Sequence, residues 1–133
     1  MTTIFDLAEA PASVAVERIR SGIPASAFRT LADRLGISQN ELASKLRVAT
    51  RTLTRLASEH KPLPPDITEK VLRAARVMKK ARTIFSDDPS VVTWLNTESP
   101  ALNGVKPIDL LDTDVGAAEV EGLILGLAYG NFQ

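Results

Sequence analysis

Across this chain the apolar residues recur at three- and four-residue spacing, and no stretch alternates apolar with polar residues between turn signals. An all-α fold is therefore predicted. Gly and Pro punctuate the pattern. Residues 1–12 read as a frayed, flexible lead-in, after which Ser13 caps a short helix through Ile19 that stops at Gly22. Pro24 opens a second helix, whose apolar face of Phe28, Leu31, Ala32 and Leu35 ends at Gly36.

Ser38-Gln-Asn-Glu41 has the spacing of a capping box: the serine hydroxyl accepts from the Glu41 N–H and the carboxylate reaches back. Leu42, Ala43 and Leu46 form the inner face of the helix that starts there. Val48 follows a tight break, and Leu53 with Leu56 line a second short helix. This is helix-turn-helix spacing, with the small Ala43 where the two helices cross. Thr50, Arg51, Thr54 and Arg55 point outward, with the donors and acceptors that reach base edges and phosphates in a major groove, and Gln39 is placed to clamp a phosphate. Arg47 stands in the turn, where a positive φ favours Gly. It costs about 1 kcal/mol there and adds a phosphate contact. A plain antiparallel helix pair with arginine on its outer face is the alternative.

Lys61-Pro-Leu-Pro-Pro65 cannot continue a helix and reads as a stiff connector. It divides a DNA-binding domain, 13–61, from a second helical domain, 62–133. Asp66 to Arg82 is one amphipathic helix, with Lys70, Arg73, Arg76, Lys79 and Lys80 placed on its exposed side. Asp88-Pro89 opens a helix in which Trp94 anchors the second core. Pro107 to Leu111 forms a short helix, and Thr113 or Asp114 caps a last helix that Gly122 and Gly126 weaken and Gly130 ends.

Charge divides at the same joint. Residues 1–82 carry 15 Lys/Arg against 8 Asp/Glu, a difference of +7; residues 83–133 carry 1 against 8, a difference of −7. A basic front suits DNA and an acidic rear suits a cationic protein surface, although unevenly charged solvated faces give the same totals. Cysteine is absent and His60 is the single histidine, so no metal site, cofactor or catalytic constellation is expected. Neither a membrane-spanning run nor a secretory leader is read from the sequence, and the expected location is cytoplasmic.

Arg51-Thr52-Leu53 with Arg55, Trp94-Leu95, Pro100-Ala101-Leu102 with Gly104, Pro107 through Leu111-Asp112-Thr113, Gly116, Val120 and Tyr129-Gly130 form an ordered set. Over about residues 25–133 it resembles the Xre/MbcA/ParS antitoxin family. The resemblance implies an Xre-like helix-turn-helix domain joined to a toxin-binding domain, in a protein without enzymatic activity. Its implied partner is a RES-domain toxin that consumes NAD or ADP-ribosylates a protein with it. The C-terminal tip, Tyr129, Gly130, Asn131, Phe132 and Gln133, is then expected to cover the toxin's NAD-binding cleft, with Glu119 and Glu121 as exposed steering carboxylates. Operator DNA, bound by a homodimer reading two half-sites, is the second implied partner. A stand-alone regulator with an oligomerising rear domain is the alternative function.

Overall fold

Eight α-helices follow one another in the computed structural model, which describes residues 3–130: α1 (Ile4–Ala8), α2 (Ala12–Ser21), α3 (Ser26–Leu35), α4 (Gln39–Leu46), α5 (Thr50–Ser58), α6 (Pro65–Ala81), α7 (Asp88–Leu95) and α8 (Asp114–Ala128). No β-strand occurs among the described residues, and two 3₁₀ turns, Pro100–Leu102 and Pro107–Leu110, bridge α7 to α8. The all-α expectation holds.

The long helix α6 is the axis of the molecule. Pro65 sits at its first position, where a missing N–H costs nothing, and Ile67, Val71, Leu72, Ala75, Val77 and Met78 are all buried. Around it pack α1, α2 and α3 from the front of the chain and α8 from the rear. One continuous core results, with Phe28, Leu31 and Leu35 of α3 contributing to the same cluster as Leu95, Leu111 and Val120.

Several expectations are corrected. The supposed lead-in contains α1, where the Thr3 hydroxyl accepts from the Asp6 N–H (3.2 Å) and the Asp6 carboxylate accepts from the Thr3 N–H (3.1 Å). Ile4, Phe5 and Leu7 of α1 are buried, and the Arg34 guanidinium lies 4.3 Å from the centre of the Phe5 ring. Burial of three large apolar side chains is what fixes this segment, and sequence position alone does not reveal it. Ser13 is no cap: α2 starts at Ala12 behind Pro11, without a side-chain cap. Trp94 is half-buried and tilts against Phe85 with centroids 5.8 Å apart, while Val91 and Leu95 are the fully buried anchors of α7.

Two glycines allow close approaches. A Cβ on Gly116 would collide with the Leu110 carbonyl, so the glycine lets α8 dock against the preceding 3₁₀ turn. Gly22, at φ 87°, closes the elbow between α2 and α3 directly against the Leu63 carbonyl. Neither Gly122 nor Gly126 interrupts α8.

Candidate functional site

The start of α4 is capped by Ser38, whose hydroxyl accepts from the Glu41 N–H at 3.1 Å. The return bond differs from a reciprocal box, because the Glu41 carboxylate faces the Ser38 hydroxyl at 3.5 Å instead of the backbone N–H. At the other end Arg47 adopts φ 56° and ψ 52°, and the Val48 N–H donates to the Ala43 carbonyl at 2.8 Å, closing a Schellman-type turn. The left-handed turn residue expected of a helix-turn-helix is present, occupied by arginine.

Ala43 is buried, and Leu53 and Leu56 press α5 onto the core. That orientation leaves Thr50, Arg51, Thr54 and Arg55 exposed. Gln39 from the first turn of α4 joins Thr50 and Thr54 around a groove of about 500 Å³ along the outer side of α5. The Thr54 hydroxyl donates to the Thr50 carbonyl (3.1 Å), so its lone pairs are what it offers outward. Arg55 lies 3.7 Å from Glu59, whereas Arg51 makes no ion pair among the described residues.

Arg47 behaves differently from the others. Its Nε donates to the Asp112 carboxylate at 3.1 Å, and its own carbonyl accepts from Lys70 Nζ at 3.2 Å. The turn of the helix-turn-helix is thus tied to the segment that leads into α8. Lys45 adds a parallel tie to Asp109.

These ties belong to a larger set. Seven ion pairs among the described residues join the basic front to the acidic rear: Arg34 and Arg82 to Asp88, Lys45 to Asp109, Arg47 to Asp112, Arg73 to Asp114, and Arg76 and Lys80 to Glu121. Arg73, Arg76, Lys79 and Lys80 of α6 are accordingly tied into the fold by ion pairs, with Lys80 still exposed. Arg73 is only 8% exposed, and Lys79 pairs with Glu9. Glu121 is likewise not an exposed steering group, because Arg76 (2.7 Å) and Lys80 (3.1 Å) hold it against α6. Burial acts to raise its pKa, but the hydrogen bonds from Arg76 and Lys80 outweigh that and hold the carboxyl below the usual glutamate range.

Thr113 caps α8 by accepting from the Gly116 N–H (3.0 Å), and Gly116, Ala117, Val120 and Ile124 face the core. The opposite face is apolar too. Val115 is 81% exposed, Leu125 59% and Tyr129 83%, and exposed Ala118 and Gly122 lie between them at alternating three- and four-residue steps. Glu119 stands exposed beside this stripe, and Gly130, at φ 76°, follows it. Asn131, Phe132 and Gln133 lie outside the described residues. Val115 and Leu125 escaped the sequence reading, although a signal existed. The segment DVGAAEVEGLILGLA has too few polar residues for a helix with one solvated side, a pattern that calls for cover on two sides.

A helix-turn-helix tied to the rear of the chain, together with an exposed apolar face on the last helix, defines a class: a helix-turn-helix protein with a partner-binding rear domain. Residues 14–76 match the antitoxin Xre-like helix-turn-helix domain, and residues 80–130 match the antitoxin Xre/MbcA/ParS C-terminal toxin-binding domain. The two matches meet within α6, not at the proline-rich connector. The chain is 31% identical to a Prs ADP-ribosylating antitoxin of Sphingobium, over 86% of this chain and 77% of that protein. It is 30% identical to an antitoxin Xre of Yersinia enterocolitica, over 91% and 82% respectively. The chain belongs to the Xre/MbcA/ParS antitoxin family and is the antitoxin of a toxin–antitoxin system. No described helix is long and apolar enough to cross a membrane.

Proposed function

We propose that this antitoxin neutralises a RES-type toxin by laying the outer face of α8, and the tip that follows it, over the toxin's NAD-binding cleft. The observation that carries this reading is the uncovered stripe of Val115, Leu125 and Tyr129, which ends in an aromatic side chain at the mouth of the C-terminal tip. Large apolar side chains held in water at this spacing gain most by burial in a partner's groove. The Prs ADP-ribosylating antitoxin, a relative by sequence, carries ADP-ribosylation in its name. Tyr129, Gly130, Asn131, Phe132 and Gln133 act as the inhibitory tip, with Glu119 as the carboxylate that steers it. Glu121 contributes by fixing α8 on α6.

The front domain represses the antitoxin's own operon. As a homodimer it places α5 of each copy in successive major grooves, where Thr50, Arg51, Thr54 and Arg55 contact the bases and Gln39 a phosphate.

Co-expression with the toxin encoded beside the antitoxin gene tests the first half. Leu125→Asp, or deletion of residues 129–133, should abolish co-purification and growth rescue while leaving operator binding in place. Normal rescue by both variants would remove α8 and its tip from the mechanism. Because Leu125 is exposed in the free protein, loss of folding does not explain a failed rescue.

A further inference from the structure

The ion pairs between front and rear do not use every front-half cation, and three of those left over converge. Arg18 of α2, Arg29 of α3 and Lys61 just after α5 line one open groove of about 650 Å³, with His60 on its rim. Among its described lining residues there is no carboxylate. Arg18 and Arg29 make no ion pair among the described residues, and Lys61 reaches only Glu59, at 3.1 Å. The first turn of α3 opens into the same groove through Pro24, Ala25 and Ser26, and no side chain caps that helix end. The Ala27 and Phe28 N–H groups there donate to the Pro24 and Ala25 carbonyls, and the positive end of the helix dipole adds to the three cations.

The walls are pre-formed. The Leu63 N–H donates to the Ile23 carbonyl (2.8 Å), and the Thr68 hydroxyl donates to the Leu63 carbonyl (3.1 Å). The α2–α3 elbow is thereby pinned to the connector that carries Lys61, so little ordering is needed when an anion arrives.

Gln39 lines both this groove and the one along the outer side of α5. A helix of about 10–12 Å diameter fills a major groove about 12 Å wide, so the phosphate strand bordering the groove runs along the flank of α5, about 6 Å from its axis. We propose that the groove between the α2–α3 elbow and the end of α5 seats this strand, making Arg18, Arg29 and Lys61 phosphate contacts that flank the base-reading helix. Their role is to set affinity and register on any duplex, while α5 reads sequence. The proposal rests on the DNA-binding reading of α5.

The test uses the full chain and two duplexes of equal length, one from the region upstream of its own gene and one unrelated, with binding measured by fluorescence anisotropy between about 50 and 200 mM salt. Arg18→Gln combined with Arg29→Gln should weaken binding to both duplexes by the same factor, about tenfold or more. The slope of log affinity against log salt should shrink by about 0.9 for each phosphate no longer neutralised. Arg51→Gln should instead reduce discrimination between the duplexes. Wild-type affinity and an unchanged salt slope in the Arg18/Arg29 variant, with discrimination still reduced in Arg51→Gln, overturns the groove and leaves α5 intact. Weakening confined to the upstream duplex overturns it as well, since it marks a base contact. A wild-type protein that binds neither duplex removes both readings. Thermal melts of the variants, with Arg29 and Arg51 exposed and Arg18 half-buried, confirm the fold.

Discussion

Two helices of this antitoxin are rich in cations and read alike in sequence, yet α5 and α6 use them in opposite ways. On α5, Arg51 is exposed with no ion pair among the described residues, and Arg55 is exposed and reaches only Glu59, at 3.7 Å. On α6, Arg73, Arg76, Lys79 and Lys80 each hold a carboxylate, three of them on α8 residues. The difference lies in what the helix packs against. A helix at the surface keeps its charge for a partner, while a helix at the centre needs its charge matched within the chain. The +7 and −7 halves are therefore in large part each other's counter-charge, and the cations without an ion pair among the described residues include Arg18 of α2, Arg29 of α3 and Arg51 of α5.

The largest effects should separate the two helices. Arg51→Ala with Arg55→Ala should lower operator affinity by about 1–3 kcal/mol for each base interaction removed, while the urea midpoint barely moves. Arg76→Gln should shift the midpoint and leave the affinity of the folded protein unchanged. Measuring anisotropy and urea unfolding on the same preparations checks both, and a DNA defect in the α6 variant as large as in the α5 variant breaks the contrast.

Next in size is an asymmetry within one pair. Arg73 is buried, with Nη1 unpartnered, while Asp114 is 88% exposed. Asp114→Asn strands a buried cation and should cost about 1–3 kcal/mol. Arg73→Met removes the cation, keeps most of the packing and leaves the carboxylate in water, so it should cost less than about 1.5 kcal/mol. Equilibrium unfolding that ranks the two the other way would show the pair to be a surface contact.

Acid should weaken the contacts of three other carboxylates, Glu121, Asp6 and Asp87. Glu121 lies below its ordinary value of 4.5, and Asp6 and Asp87 below 3.8. Asp6 is lowered by the Thr3 N–H and then its hydroxyl, and Asp87 by the Ser90 side chain and then its N–H. A carboxyl with a lowered folded-state pKa stabilises the fold above its unfolded value and loses that contribution as pH falls through the folded one. Stability should therefore be level towards neutrality and decline from about pH 4.5 downward. Glu121→Gln should flatten part of the decline in urea midpoints taken across that range.

Much of this was legible in the sequence, wherever local rules decide the outcome. Ser38 as a cap, the break at Arg47 and Thr113 before α8 all follow from short-range chemistry, and the structure places them as read, with Ala43 buried on the inner face of α4. The family motifs likewise pointed to the domain pairing. What stayed hidden depends on contacts distant in sequence. Nothing local distinguishes Arg73, which ends buried on Asp114, from Arg51, which ends free. Glu121 reads as a surface residue until α8 is laid on α6. Thr3-Ile-Phe-Asp6 did carry a capping signal, but α1 is only five residues long, and its stability comes from burying Ile4, Phe5 and Leu7.

The smallest expected effect probes the bolt between the two regions. Arg47→Gly relieves a left-handed residue, worth about 1 kcal/mol. Against that, glycine adds unfolded-state entropy of about 0.4–1 kcal/mol, and the missing bond to Asp112 is worth about 0–1 kcal/mol with the Arg47 side chain 80% exposed. These contributions nearly cancel, so the urea midpoint should correspond to a change within about 0.5 kcal/mol, helped by the Lys70 bond to the residue-47 carbonyl, which survives the substitution. The DNA salt slope then distinguishes two positions for the side chain. A guanidinium that stays on Asp112 leaves the slope unchanged when removed, whereas one that leaves Asp112 for a phosphate lowers it by about 0.9. A stability loss beyond about 1.5 kcal/mol would instead mean that the front and rear of the molecule depend on this single turn for their attachment.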